Sequence, residues 1–180
     1  EANVFASEEM FPELVNPVQL GMDTKGRIWA AAWKTYPKWE PGKKMDDRLL
    51  ILEDTNKDGI ADKCTTFAYV HNPTGFEFWN GGVLVCSQPD IIFLKDTDGD
   101  DVADVREIMF SGWGTGDTHA VPSSLHYGFD NWIYGSVGYS GFRGEVGGER
   151  HGFSNGFYRF KPDGSKMEFL AKSSNNTWGF

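Results

Sequence analysis

The chain has no run of basic residues longer than Lys43-Lys44 and no stretch near the roughly 20 apolar residues that a helix needs to cross a bilayer. Its 17 Lys+Arg are outnumbered by 26 Asp+Glu, for a net charge of −9. Nucleic acid and anionic lipid need clustered positive charge, so neither is expected as the main partner. Cations and neutral polar molecules suit this surface better. Cysteine is scarce: Cys64 and Cys86 stand 22 apart, with no CxxC and no CxxCH. Metal-thiolate sites and covalent haem attachment within the chain are thereby excluded, and the two thiols are either a disulfide or a pair of buried reduced side chains. The start, Glu1-Ala2-Asn3-Val4-Phe5, lacks the basic and apolar regions of a signal peptide. Either the chain is cytosolic or such a signal was removed.

What is abundant is aromatic residues, 15% of 180, and glycine, 22 residues. The aromatic side chains supply ample apolar area for one domain with a real core. Gly, Asn, Asp and Pro interrupt the sequence about every 8 to 12 residues, and no long 3.6-residue apolar period survives, which predicts an all-β fold. An internal repeat is present. Asn16-Pro17-Val18-Gln19-Leu20 has the layout of Asn72-Pro73-Thr74-Gly75-Phe76 and of Val121-Pro122-Ser123-Ser124-Leu125, and the pattern restarts at Asn176-Thr177-Trp178. Leu20, Phe76, Leu125 and Trp178 follow one another at spacings of 56, 49 and 53. Each copy holds two hairpins, and in each the second apolar strand sets Trp29, Val85 and Tyr134 level with one another.

Four strands per unit of about 50 residues predicts a β-propeller of four-stranded blades, with units at about 16–71, 72–120 and 121–175 and the next beginning at 176–180. A β-sandwich is the alternative all-β reading. Propellers close with about 4 to 8 blades, so about three blades and the start of a fourth read as part of a larger protein.

Two turns carry hard oxygen ligands at alternate positions: Asp54, Asn56, Asp58 and Asp62, and Asp96, Asp98, Asp100 and Asp104. That spacing is what Ca²⁺ requires, although Thr65 replaces the final Glu of an EF-hand in the first loop and Asp101 replaces its sixth-position Gly in the second. The competing reading is a plain hairpin turn, which Asp, Asn and Gly also suit. Five Asp between Asp96 and Asp104 favour a cation at the second loop, because like charges so close repel.

The third unit carries about 25 extra residues, much of them in the Gly-rich segment from Gly135 to Gly152 with Arg143, Arg150 and His151. Such a segment is either a connector or part of a binding mouth. His119, at the entry to a predicted innermost strand and two residues after Asp117, is either a general base or a structural histidine. Trp33, Tyr36 and Trp39 on a Pro-containing loop suit a sugar or a flat cofactor, or else pack the loop onto the rim.

Together the runs Glu53 to Asp62, Asn80 to Val85, Lys95 to Asp104, Asp117-Thr118-His119 and Asn175-Asn176-Thr177-Trp178-Gly179 resemble the N-terminal propeller of the membrane-bound dehydrogenases of planctomycetes and verrucomicrobia. That family is similar to the soluble quinoprotein glucose and sorbosone dehydrogenases, six-bladed propellers holding pyrroloquinoline quinone and Ca²⁺. The resemblance implies a periplasmic or extracellular dehydrogenase that oxidises a sugar or other alcohol, with His119 as the base and Asn175 and Asn176 near the cofactor; Arg143 and Arg150 of the Gly-rich segment are taken as further cofactor-binding candidates. The family's Arg-Asn pair corresponds to Asn175-Asn176, without the arginine. Electrons would pass to a c-type cytochrome module, whose CxxCH this chain does not contain. The alternative is a non-catalytic, calcium-stabilised propeller that binds glycans or a protein partner.

Overall fold

The computed structural model describes residues 2–37 and 40–179. Within them every regular element is a strand and every pairing is antiparallel. The first sheet is a meander of β1 (Pro17–Met22), β2 (Ile28–Ala32), β3 (Arg48–Glu53) and β4 (Lys63–Tyr69). The second repeats it with β5 (Pro73–Trp79), β6 (Gly82–Ser87), β7 (Asp90–Lys95) and β8 (Val105–Ser111). In the third, β9 (Pro122–Tyr127) and β10 (Ile133–Val137) are followed by a separate hairpin of β11 (Phe142–Val146) and β12 (Glu149–Phe153). The sheet then resumes with β13 (Gly156–Phe160) and β14 (Met167–Lys172). The Gly-rich segment read as a loop is therefore largely paired: its excess residues form this hairpin, whose apolar Phe142 and Val146 enter the core.

The turns explain the register. Asn80 and Gly81, at φ of 50° and 72°, sit between the paired Trp79 and Gly82, the two-residue hairpin in which both central residues are left-handed. The β1–β2 turn is longer, closing at the Met22–Ile28 pair. Leu20 opposite Ala30 and Phe76 opposite Val85 then make Trp29 the counterpart of Leu84 and not of Val85. The sequence layout was one residue out at that point because it assumed equal turns.

Period-2 alternation sends each sheet's side chains to two interfaces. Trp29, Ala31, Leu49 and Ile51 of the first sheet meet Phe76, Val83, Val85 and Leu94 of the second. Leu84, Cys86, Ile91 and Phe93, on the second sheet's other face, meet Ile133, Tyr158 and Phe160 of the third. A central sheet buried on both faces reads as a continuous apolar run, as Gly82–Ser87 does. The first sheet's remaining face is partly covered by the segment before it, through Phe5, Phe11 and Leu14. Both cysteines are free: Cys64 belongs to this last cluster and Cys86 to the interface between the second and third sheets, so two sheets of packing separate them.

The leading strands of the three sheets are joined by side chains. Gln19 of β1 clamps β5, its Nε2 donating to Phe76 O at 2.8 Å and its Oε1 accepting from Phe76 N at 3.0 Å. Thr74 Oγ1 of β5 donates to Pro122 O of β9 at 2.6 Å, and Glu77 Oε2 accepts from Tyr127 N at 2.8 Å. Between β5 and β9 a Cβ on Gly75 would stand 2.9 Å from Ser124 N, so this approach needs glycine.

The antiparallel order places the connecting residues 33–37 with 40–47, 70–72, 112–121, 138–141 and 173–179 at one end of the strands. The turns 54–62 and 96–104 lie at the other.

Candidate functional site

His119 lies at the first end, just before β9, on a turn built by Asp117. Asp117 Oδ1 accepts from His119 N at 2.6 Å and Ala120 N at 2.9 Å, and Oδ2 accepts from the Tyr139 hydroxyl. The Tyr139 bond, helped by the two amides, holds the Asp117 carboxyl down at about 2. The carboxylate is thus a fixed anion, 3.7 Å from His119 Nδ1. Thr118 Oγ1 spends its single proton on Pro37 O at 2.8 Å and so can only accept at His119 Nδ1, 3.4 Å away. Both neighbours favour a proton on Nδ1, which leaves the Nε2 lone pair free to take one.

The side chain of His119 is 38% exposed and stands among aromatic rings. Its centroid is 5.5 Å from Trp33 and 5.4 Å from Tyr36, and those two rings meet edge to face at 5.2 Å. With Asn16 and Trp178 they line a pocket of about 360 Å³. The sequence offered His119 and the Trp33–Tyr36 loop as separate candidates; the fold brings them to one place. Trp39, offered with them, lies outside the described residues.

Asp47, which the sequence did not single out, joins the walls of this pocket. It is fully buried, accepting from Thr35 N at 2.7 Å, Thr35 Oγ1 at 2.8 Å and Asn72 N at 3.1 Å. Asn72 Nδ2 in turn donates to Thr118 O at 3.3 Å. An Asp before an apolar strand carries no signal of burial, which is why it was missed. Asn72 did carry one: Asn16 and Asn72, each preceding a proline, both hold left-handed φ, 46° and 45°.

The residues expected to bind cofactor are not gathered here. Asn175 and Asn176 are exposed; the Asn175 carbonyl accepts from Tyr139 N at 3.0 Å, and it is Trp178, further on, that reaches the pocket. Arg143 lines a different cleft, and Arg150 is exposed on β12 opposite Glu145. Among its described lining residues the His119 pocket has no arginine or lysine to pair with the carboxylates of pyrroloquinoline quinone. These residues do not fit that cofactor.

The two aspartate turns are built alike, 42 residues apart and at the far end of the strands. Asp54 and Asp96 each accept from three backbone amides, and Asp62 and Asp104 each accept from the N–H and hydroxyl of Thr55 and Thr97. Asn56, Asp58, Asp98 and Asp100 close shorter turns on amides two residues ahead. Left-handed φ recurs at Lys57 and Gly99, and at Gly59 and Asp101. Asp101 thus adopts the conformation of the missing glycine while pairing with Arg27 Nη1 at 2.7 Å. Asp96, Asp98 and Asp104 each offer a carboxylate oxygen, all within 4.8 Å of one another, a hard-oxygen donor set that suits Ca²⁺.

Among curated proteins the chain finds no match. The family described as a domain of unknown function, DUF7133, matches residues 1–180, and the chain belongs to that family.

Proposed function

We propose that the chain is a β-propeller domain that binds a sugar or another polyol in the His119 pocket. The propeller reading is supported by three successive four-stranded antiparallel sheets that stack face to face, the third interrupted by the β11–β12 hairpin, with β1, β5 and β9 side by side; a sandwich has two sheets. The observation that carries the ligand class is the meeting of His119 with the exposed rings of Tyr36 and Trp178, backed by the buried Trp33. Aromatic faces take the apolar faces of a sugar ring, and an imidazole with a free Nε2 accepts a hydroxyl proton in a hydrogen bond. Titration of aldoses and polyols against tryptophan fluorescence tests it. Saturable quenching by one of them, weakened at least about tenfold in His119→Ala with an unchanged melting curve, is the expected result. No quenching by any member of the panel overturns it.

A second reading, favoured by the fixed Asp117 anion beside Nδ1, adds oxidation of the bound alcohol. There His119 Nε2 takes the hydroxyl proton, Asp117 steadies the resulting imidazolium, and the aromatic walls orient the ring. The carbinol hydride would leave at the same time to an added two-electron acceptor in solution, since the lining of the pocket does not fit a bound quinone. Reduction of an added two-electron acceptor dye separates the two: binding without turnover leaves the first. Calcium in either reading is structural. Asp96, Asp98 and Asp104 would hold it, and its charge would offset their mutual repulsion at the end opposite His119.

A further inference from the structure

We infer that the cleft beside Tyr139 is a second subsite, which takes an acidic sugar unit of a longer glycan whose neighbouring unit occupies the His119 pocket. The inference rests on the polyol reading of that pocket. The cleft has a volume of about 560 Å³ and lies at the same end of the strands, with Tyr139, Ser140, Phe153 and Arg143 in its wall. A single carboxylate joins the two sites: Asp117 bonds the His119 backbone through one oxygen and the Tyr139 hydroxyl through the other. Tyr139 is half exposed, so its ring is available to a sugar face while its hydroxyl is already engaged. The Ser140 hydroxyl is buried with no partner among the described residues, so the wall holds an unspent polar group.

Arg143 sets the charge of the ligand. In the β11–β12 register Arg150 faces Glu145, but Arg143 faces Gly152, which has no side chain to pair with it. A Cβ placed on Gly152 would meet only Arg143 Cγ, at 4.0 Å, so the space over that glycine is open. An exposed guanidinium without a cross-strand acid, at the edge of a cleft with aromatic walls, suits a carboxylate or a sulfate ester on a sugar. The acidic net charge does not prevent this, because surface fields fade over about 8 Å at physiological salt.

The test is a calorimetric titration of the full chain with galactose, maltotriose, trigalacturonate and a sulfated trisaccharide. One of the anionic trisaccharides is expected to bind about tenfold more tightly than maltotriose, and Arg143→Gln to remove that preference. Which of the two wins identifies the group as carboxylate or sulfate. Equal affinity for neutral and anionic trisaccharides, or a preference that survives Arg143→Gln, overturns the subsite. Failure of any sugar to respond to His119→Ala overturns the polyol pocket instead, and the charge preference then judges the cleft by itself.

Discussion

Asp47 Oδ2 accepts the backbone N–H of Asn72 at 3.1 Å, although 25 residues separate the two. The same carboxylate holds Thr35, between Trp33 and Tyr36, while the Asn72 side chain reaches Thr118, next to His119. One buried anion thus sets the distance between the aromatic wall of the pocket and its histidine.

Removing that anion leaves buried donors without acceptors. Asp47→Ala is expected to cost about 2 to 4 kcal/mol in urea unfolding, since the Thr35 and Asn72 amides are stranded together. Asp47→Asn retains one acceptor oxygen and should cost less. A loss below about 0.5 kcal/mol in Asp47→Ala would show that the latch is replaceable by water.

The Tyr139–Asp117 bond makes a pH-dependent contribution whose sign is fixed. The folded carboxyl, at about 2, lies below its ordinary 3.8. Its stabilisation is therefore complete above the unfolded value and is lost as the pH falls from about 4 through about 2. Tyr139→Phe removes the largest cause, so the Asp117 carboxyl should titrate higher, and stability at neutral pH should fall slightly. Carboxyl-carbon NMR titration of both proteins reads this directly; an unmoved Asp117 would assign the shift to the two backbone amides alone.

How much of this was legible in the sequence depended on whether the signal was local. Turn chemistry is local, so the Asn80-Gly81 hairpin and the paired aspartate turns could be read, although Asp101 counted there only as a departure from glycine and its left-handed conformation did not show. The aromatic loop and His119 could each be seen, but not their meeting, because it depends on the stacking of sheets 86 residues apart at Trp33 and His119. Asp47 was invisible, since burial of a carboxylate is a tertiary fact. The Gly135 to Gly152 segment misled: glycine marks loops, yet here it permits β11 to lie against β8, where a Cβ on Gly144 would stand 2.3 Å from Ser111 O.

Calcium should bind the second aspartate turn and raise the melting temperature. Asp101 is paired with Arg27, but Asp96, Asp98 and Asp104 bring like charges within 4.8 Å of one another, which a cation would offset, and a ligand present at 100 times its Kd adds about 2.7 kcal/mol to stability. Scanning calorimetry in chelator and in millimolar Ca²⁺ measures the shift. Asp98→Asn with Asp104→Asn should abolish it without changing the response of the His119 pocket to the sugar panel, because the turn is at the opposite end of the strands. An identical melting temperature with and without calcium would reduce both turns to hairpins closed by their own hydrogen bonds.

The two thiols should differ in reactivity and should never pair. Burial raises the Cys64 thiol to about 11, and complete burial beside Tyr158 raises Cys86 further still. Thiolate is the reactive form, so both resist alkylation at neutral pH in the folded protein. Cys64, half-buried at the edge of the first sheet, needs only local opening, whereas Cys86 is sealed between the second and third sheets and waits for their separation. Alkylation followed by mass spectrometry should therefore show one slow addition at Cys64, then a second at Cys86 at the rate of global unfolding. Denaturation without reductant should give two additions at once; a chain that takes none under those conditions would hold a disulfide, and the separation of Cys64 from Cys86 would be wrong.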